Sequence, residues 1–463
     1  MVAFTLDEII MATGGSLLQG DRERSVSGIA IDSRKIQPGE LFLAIQGENF
    51  DGHDFIAAAI AAGASAVVAS KPVTVSSEVT AVRVADTLEA LGAIARWHRR
   101  RFSIPVIGIT GSNGKTTTKD LAASVLAQRY PVIKTEGNFN NEIGMPLTLL
   151  RLNNDFRAAV VEMGMRGLGQ IRRLAGIAEP NIAIITNVGL THLELLGTQE
   201  NIARAKAELI ESLPDDGLAI LNGDDPLVRT MRDKFSGRTI LYGIEGPGLD
   251  YRATDIKIRD NGSVFKIYAR GEIIEAQLPV PGRHNILNAL ASAAAGRELG
   301  MSGDTIRKGL ATPDLTGKRL NIIRHNGLII IDDTYNASPT STRAALDVLA
   351  ATGEGRRKLA VLADMLELGP QAPVIHREIG EYAARNGVDR LLAYGDLARE
   401  YAEGFNRISK GYGEYFSEKP GLIAGLRSAI QPGDVLLVKG SRGMKMEDVI
   451  AAISELEVES SWN

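Results

Sequence analysis

Cysteine is absent from this chain of 463 residues. Its absence excludes disulfides, thiolate metal sites and a cysteine nucleophile, and it fits a reducing compartment. Aromatic residues make up only 5% of the chain, too few for a stacking platform on single-stranded nucleic acid. No long basic run occurs: 52 Lys and Arg face 56 Asp and Glu, a formal net charge of −4. The one basic cluster, Arg99-Arg100-Arg101, ends a helical pattern, where cations suit the helix dipole. These features argue against a nucleic-acid partner. No apolar run is long enough to span a membrane, and Met1 to Gly20 carries acidic residues where a signal peptide would need an apolar core. The expectation is a folded protein of the cytoplasm, monomeric and acting without nucleic acid or membrane.

The length suggests roughly three domains, and three regions read differently. Residues 1–100 hold short β-type runs (Gly28 to Asp32, Leu41 to Ile45, Ala66 to Ala69), an amphipathic stretch from Phe55 to Ala62 and a helical pattern from Leu88 to Arg101. Residues 101–312 alternate apolar runs (Val106 to Thr110, Ala158 to Glu162, Ile182 to Asn187) with helical stretches, and close on a helical pattern from Asn285 to Leu299 capped by Gly300. Such alternation predicts a mostly parallel sheet with helices on its faces. Residues 313–463 repeat the plan, with runs at Leu328 to Ile331, Leu359 to Ala363, Arg390 to Tyr394 and Val435 to Val438. The fold class expected is α/β in three domains: a small N-terminal α/β domain, a central phosphate-loop domain and a C-terminal Rossmann-like domain. The last lacks GxGxxG after its first strand, so a dinucleotide is not implied.

The strongest local signal is Val106-Ile-Gly-Ile-Thr-Gly-Ser-Asn-Gly-Lys-Thr-Thr-Thr118. A β-type run breaks into a loop, and Lys115-Thr116 open a helical pattern. Gly111 and Gly114 let the backbone wrap an anion, so that amides of Thr110, Gly111, Ser112, Asn113, Gly114, Lys115, Thr116 and Thr117 can point at phosphate oxygens. Lys115 can reach the terminal phosphates, and the Thr116 hydroxyl suits Mg²⁺. The glycines fall at 108, 111 and 114, a departure from the usual spacing. A glycine-rich turn with no ligand is the alternative.

Other residues carry two readings each. Glu162 ends a strand on the side where open α/β sheets bind ligands, which suits a Mg²⁺ ligand or a plain solvent carboxylate. His192, in Thr191-His-Leu-Glu194, is a structural imidazole or an unusual Mg²⁺ ligand. Lys206 lies within the apolar stripe Ile202, Ala205, Leu209, Ile210, Leu213. Either its methylenes cover that stripe, or it aims inward and must lose its charge beside a metal. Asn285 reads first as an N-cap, with adenine recognition as the alternative. Asp332-Asp333 end a strand where ribose or phosphate-bound Mg²⁺ could be met, while Ser338 and Pro339 read as the cap and first residue of a helix. Arg319 is a phosphate clamp or a surface salt-bridge partner.

Taken together these motifs resemble the Mur ligases, ATP-dependent ligases that build the peptide stem of the bacterial cell wall. The resemblance runs from Asp32-Ser-Arg34 and Gly47-Glu-Asn-Phe-Asp-Gly-His-Asp-Phe55 through the phosphate loop, Thr135-Glu-Gly-Asn-Phe-Asn-Asn-Glu-Ile-Gly-Met-Pro146, Thr191-His-Leu-Glu194 and Gly282-Arg-His-Asn285. Three further stretches, Asp333-Thr-Tyr-Asn-Ala337, Ala363-Asp-Met-Leu-Glu-Leu-Gly369 and Lys439-Gly-Ser-Arg442, are similar to the member that adds D-alanyl-D-alanine to UDP-N-acetylmuramoyl-tripeptide. The resemblance implies that Lys115 holds the β and γ phosphates, that Thr116 and Glu162 bind one Mg²⁺ and His192 a second, and that Lys206 is carbamylated. It implies that Asn285 reads adenine and that Arg319 and Asp333 meet phosphate and ribose. Ser33, Arg34, Asn138 and Asn141 would hold the UDP-sugar precursor, and Asn336, Lys439, Ser441 and Arg442 the incoming dipeptide. Rival readings are another ligase of the superfamily, a nucleotide switch that makes no bond, and a small-molecule kinase. The missing Asn-Lys-x-Asp signature argues against a GTPase.

Overall fold

The computed structural model describes residues 3–47, 50–259, 262–269, 271–317, 320–409 and 412–455. Among them are three larger sheets, each apolar inside and covered by helices.

The first sheet has five strands, in the order Ser16–Gln19, Thr80–Arg83, Ala66–Ala69, Leu41–Leu43, Ile29–Ala30. All neighbours are parallel except the antiparallel edge strand Ser16–Gln19. The helix Thr87–Arg99 follows, its first turn capped by the Asp86 carboxylate. The basic cluster at its end does more than suit a dipole. Arg99 is buried and donates to the carbonyls of Ala178, Phe102 and Ile104, while Arg96 and Arg100 pair with Glu179. These bonds fasten the first sheet's helix to the next unit.

The second sheet has nine strands. Within its parallel part lies β1 (Val106–Thr110), flanked in parallel by β2 (Ala158–Glu162) and β3 (Ile182–Ile185). Every residue of these three strands is buried, as expected of apolar runs covered on both faces. The strand Val132–Lys134 lies outside β2, and Leu218–Asn222 and Arg238–Gly243 lie beyond β3. An antiparallel meander, Tyr251–Arg259, Gly262–Ala269 and Glu272–Leu278, extends that side. Its burial alternates along each strand, the mark of a sheet with one wet face. Three helices matter for the site: α1 (Lys115–Ala127), α2 (Gln199–Glu211) and α3 (Arg283–Glu298). α3 is rich in small residues and buried on most sides, and its buried alanines let it pack closely on α1.

The third sheet runs Asn321–His325, β4 (Leu328–Asp333), β5 (Val435–Lys439), Lys358–Ala363, Arg390–Tyr394, Tyr412–Phe416. Its strands are parallel except for the edge strand Asn321–His325. Ser338 caps α4 (Pro339–Thr352) with proline in its first turn, as the sequence predicts. No helix among the described residues is long and apolar enough to cross a membrane.

Candidate active site

The loop between β1 and α1 is held rigidly. Ser112 N–H donates to the Asn187 carbonyl at 2.9 Å, and Asn113 N–H to Asn187 Oδ1 at 2.9 Å. The Asn113 carbonyl accepts from Thr186 Oγ1 at 2.6 Å and Asn187 Nδ2 at 3.0 Å. Glycine is required at two points. A Cβ on Gly111 would fall 1.8 Å from Thr186 Oγ1, and one on Gly114, at φ 82°, would fall 2.5 Å from Asn288 Oδ1. α1 starts without a side-chain cap, an arrangement that suits an outside anion at the helix start. Lys115 folds back over the loop, its Nζ 2.9 Å from the Gly111 carbonyl. Thr117 lines the adjoining cleft, whereas the Thr110 hydroxyl turns inward to the Met163 carbonyl.

Glu162 ends β2 beside this loop and is 2% exposed, which takes away the solvent-carboxylate reading. Its two oxygens accept from Thr116 Oγ1 at 2.8 Å and Asn140 Nδ2 at 2.7 Å, and its own N–H donates to Thr135 Oγ1 at 3.0 Å. Thr116 and Glu162 therefore offer adjacent hard oxygens, a set that suits Mg²⁺. Among the described residues no cluster of three His, Cys, Asp or Glu side chains could hold a metal unaided. A cation here would complete its shell with phosphate oxygens and water, as Mg²⁺ commonly does. Asn140 was not anticipated: it sits 22 residues from Glu162 in a loop without periodicity.

Lys206, on α2, is buried, and its ammonium is pushed well below the usual lysine value by burial and then by the charge of Lys115. Among the described residues no carboxylate offsets either effect. His192 lies at the start of a one-turn helix with φ 56°, and its ring lines the cleft. Burial lowers its pKa, the Glu367 carboxylate opposes that, and Lys115 and Lys206 add to the lowering. Nδ1 lies 2.6 Å from Glu367 Oε2, close though oblique to the ring N–H.

The cleft measures about 1090 Å³ and is walled on one side by the loop, Glu162 and His192, on the other by residues of the third sheet. In that second wall, adjacent strand ends pair Asp333 with Lys439 in an ion pair, and Lys439 also donates to the Asn336 carbonyl at 2.8 Å. The Arg442 N–H reaches Asn336 Oδ1 at 3.3 Å, and Ser441 Oγ accepts from Leu366 N–H at 2.9 Å. The walls touch where Ser338 Oγ donates to Asn113 Oδ1 at 2.8 Å.

Asn285 lines the cleft, but the N-cap reading is wrong. α3 begins two residues earlier behind Gly282, because Gly282, at φ 107°, makes the turn into the helix. Asn285 is instead buried, donating to the Pro281 carbonyl at 2.7 Å and accepting from Asn288 Nδ2 at 3.3 Å. Asn138 lines the cleft, whereas the Asn141 side chain accepts from Gly144 N–H at 2.8 Å to start a short helix. Ser33 and Arg34 lie on the first unit, away from this cleft. There the Arg34 guanidinium bonds Asp32 and holds that carboxyl down to about 2. Arg319 lies outside the described residues.

A Bacillus subtilis protein, UDP-N-acetylmuramoyl-tripeptide--D-alanyl-D-alanine ligase, is 40% identical to the chain over 98% of its length and 99% of the relative's. The chain belongs to the Mur ligase family. Three family descriptions match this Mur ligase: "Mur ligase family, catalytic domain" over residues 25–99, "Mur ligase middle domain" over 109–296 and "Mur ligase, glutamate ligase domain" over 318–442. An Escherichia coli relative of the same name is 36% identical over 98% of this Mur ligase and 99% of its own length. A crystal structure of MurF from Acinetobacter baumannii superposes with a TM-score of 0.92 at 32% identity, covering 98% of this chain and 100% of that one. A MurF ligase from Thermotoga maritima, in complex with ADP, gives 0.83 at 31% identity, covering 92% and 97%.

Proposed function

We propose that this Mur ligase spends ATP to join the terminal carboxylate of UDP-N-acetylmuramoyl-tripeptide to the amine of D-alanyl-D-alanine, in the cytoplasm and as a monomer. The observation that carries this reading is the pairing of an anion-ready loop and a polar third-sheet wall across one cleft, in a chain alike end to end to relatives of that name. A carboxylate forms no amide with an amine in water because oxide is too poor a leaving group. Attack of a carboxylate oxygen on the γ-phosphorus breaks the bond to ADP and gives an acyl phosphate. The amine then attacks the acyl carbon, phosphate leaves with the C–O electron pair, and the amine's surplus proton passes to solvent.

Lys115 would leave the Gly111 and Ser112 carbonyls to hold the β and γ phosphates, while the loop and α1 amides would spread the charge that develops. Mg²⁺ held by Thr116 and Glu162, with a second ion at His192, would neutralise the phosphoryl oxygens. Lys206 fits a carbamate: burial and the Lys115 charge favour the uncharged amine, the form that adds carbon dioxide, and the product would carry the negative charge that a metal beside Lys115 needs. Asn285 would read adenine, with Arg319 and Asp333 at phosphate and ribose. Asn336, Lys439, Ser441 and Arg442 would receive the dipeptide. The unit of residues 1–100, with Ser33, Arg34, Asn138 and Asn141, would hold the uridine-nucleotide precursor, leaving 101–312 for ATP and 313–463 for the dipeptide. The test is mass spectrometry after incubation with ATP, Mg²⁺, a UDP-muramoyl-tripeptide and a panel of amines. A product gaining D-alanyl-D-alanine alone supports the reading; phosphate release indifferent to the amine sinks it.

A further inference from the structure

Glu367 and His192 belong to opposite walls of the cleft, and both adopt backbone that side-chain-bearing residues avoid, with φ of 64° and 56°. Their side chains meet at 2.6 Å, and the backbones meet too, Glu194 N–H donating to the Glu367 carbonyl at 3.3 Å. The pair is partly exposed, 43% at Glu367 and 27% at His192. An ion pair that wet adds little stability, so stability does not account for two disfavoured conformations facing each other.

The turn that presents Glu367 is braced from within the third unit. Met365 N–H donates to His376 Nε2 at 3.0 Å, and the buried His376 ring donates in turn from Nδ1 to the Ala372 carbonyl at 2.6 Å. Leu366 N–H is held by Ser441 Oγ at 2.9 Å, and Ser441 N–H returns to the Asp364 carbonyl at 3.1 Å. Glu367 therefore projects from a fixed point. Its carboxylate lies 2.6 Å from Nδ1 of His192, oblique to the ring N–H, and that ring lines the cleft. Histidines that ligate metals through one ring nitrogen characteristically give the other to a carboxylate, which fixes tautomer and ring angle.

We propose that Glu367 is a positioning residue that orients His192 from across the cleft, so that the metal position at His192 is complete only when the third unit is docked. The inference rests on His192 as a metal ligand. Its consequence is order: the site that helps activate the γ-phosphate forms once the wall that receives the amine is in place, which limits idle formation of acyl phosphate.

The test is Mn²⁺ titration of the full-length protein with a non-hydrolysable ATP analogue, followed by electron paramagnetic resonance, with no turnover involved. Glu367→Ala should weaken the Mn²⁺ bound beyond the first equivalent by about tenfold or more. Glu367→Gln, which keeps a carbonyl acceptor, should recover most of that loss. Added to His192→Ala, the Glu367→Ala change should cost nothing further. Wild-type Mn²⁺ binding in Glu367→Ala, with loss in His192→Ala, overturns the inference alone. Wild-type binding in His192→Ala overturns the ligand reading beneath it. Equal loss in the Ala and Gln variants points to general disruption and also overturns the inference.

Discussion

The two walls of the cleft are built on opposite electrostatic plans. On the central wall Glu162 is held by neutral donors, Thr116 and Asn140, Lys115 folds over backbone carbonyls, and among the described residues no acid offsets the burial of Lys206. On the third-sheet wall Asp333 and Lys439 neutralise each other in the buried interior. The first wall brings two lysines beside a helix start with no side-chain cap, which suits an incoming anion. The second is complete without ligand, and a ligand there must fit around or divide an existing pair. Phosphate affinity should thus reside in the central wall, and selectivity for the acceptor in the other.

Four experiments bear on that contrast. Lys115→Ala should cut turnover about 10³-fold, the scale of losing a main charge-stabilising donor, with the thermal midpoint unmoved. Near-normal turnover would remove the loop from the chemistry. Asp333→Asn should cost about 3 kcal/mol of stability in denaturant melts, because it leaves the Lys439 ammonium buried and unpaired. Glu162→Gln should cost under about 1 kcal/mol, since an amide can still bond Thr116 and Asn140. Equal costs would erase the difference between the walls. Lys206→Ala should lower turnover about 10²-fold, as expected for a charge-stabilising group, with partial rescue by short-chain carboxylic acids standing in for a carbamate. Absence of rescue would remove the carbamate and leave the ligase reading intact.

The smallest effect concerns pH. Burial lowers His284 from 6.5 to about 4, with Asp333 opposing and Lys439 adding to the shift. The unfolded chain therefore takes up this proton first. The stability it contributes is whole above pH 6.5 and drains away as pH falls toward 4, about 2 kcal/mol by pH 5. His284→Gln should flatten that part of the pH–stability curve; an unchanged slope assigns it to other groups.

The parts of the molecule readable in advance were those whose physics is local. Val106–Thr110 and Ala158–Glu162 announced themselves as unbroken apolar runs, and the spacing along Gln199–Glu211 placed Lys206 in its buried stripe. Ser338 and Pro339 were legible as a helix start for the same reason. The meander from Tyr251 to Leu278 was missed although its signal was present. Phe265, Ile267 and Ala269 face the core at every second position, but Lys266 and Tyr268 between them obscure an apolar run. The start of α3 was misplaced because Asn285 is a good cap and Gly282 a better turn. Asn140 and Glu367 were out of reach. Their roles depend on partners 22 and 175 positions away, brought close only by the sheets.

The stitching of Ser112 and Asn113 to Thr186 and Asn187 has one more effect. A loose glycine-rich segment would forfeit conformational freedom each time a nucleotide arrived, and affinity would drop accordingly. Here that freedom is surrendered once, as the chain folds, and every later encounter finds the cradle already shaped. Slackening it at Asn187 should therefore weaken capture of the nucleotide while leaving Gly111 to Thr116 unaltered in sequence.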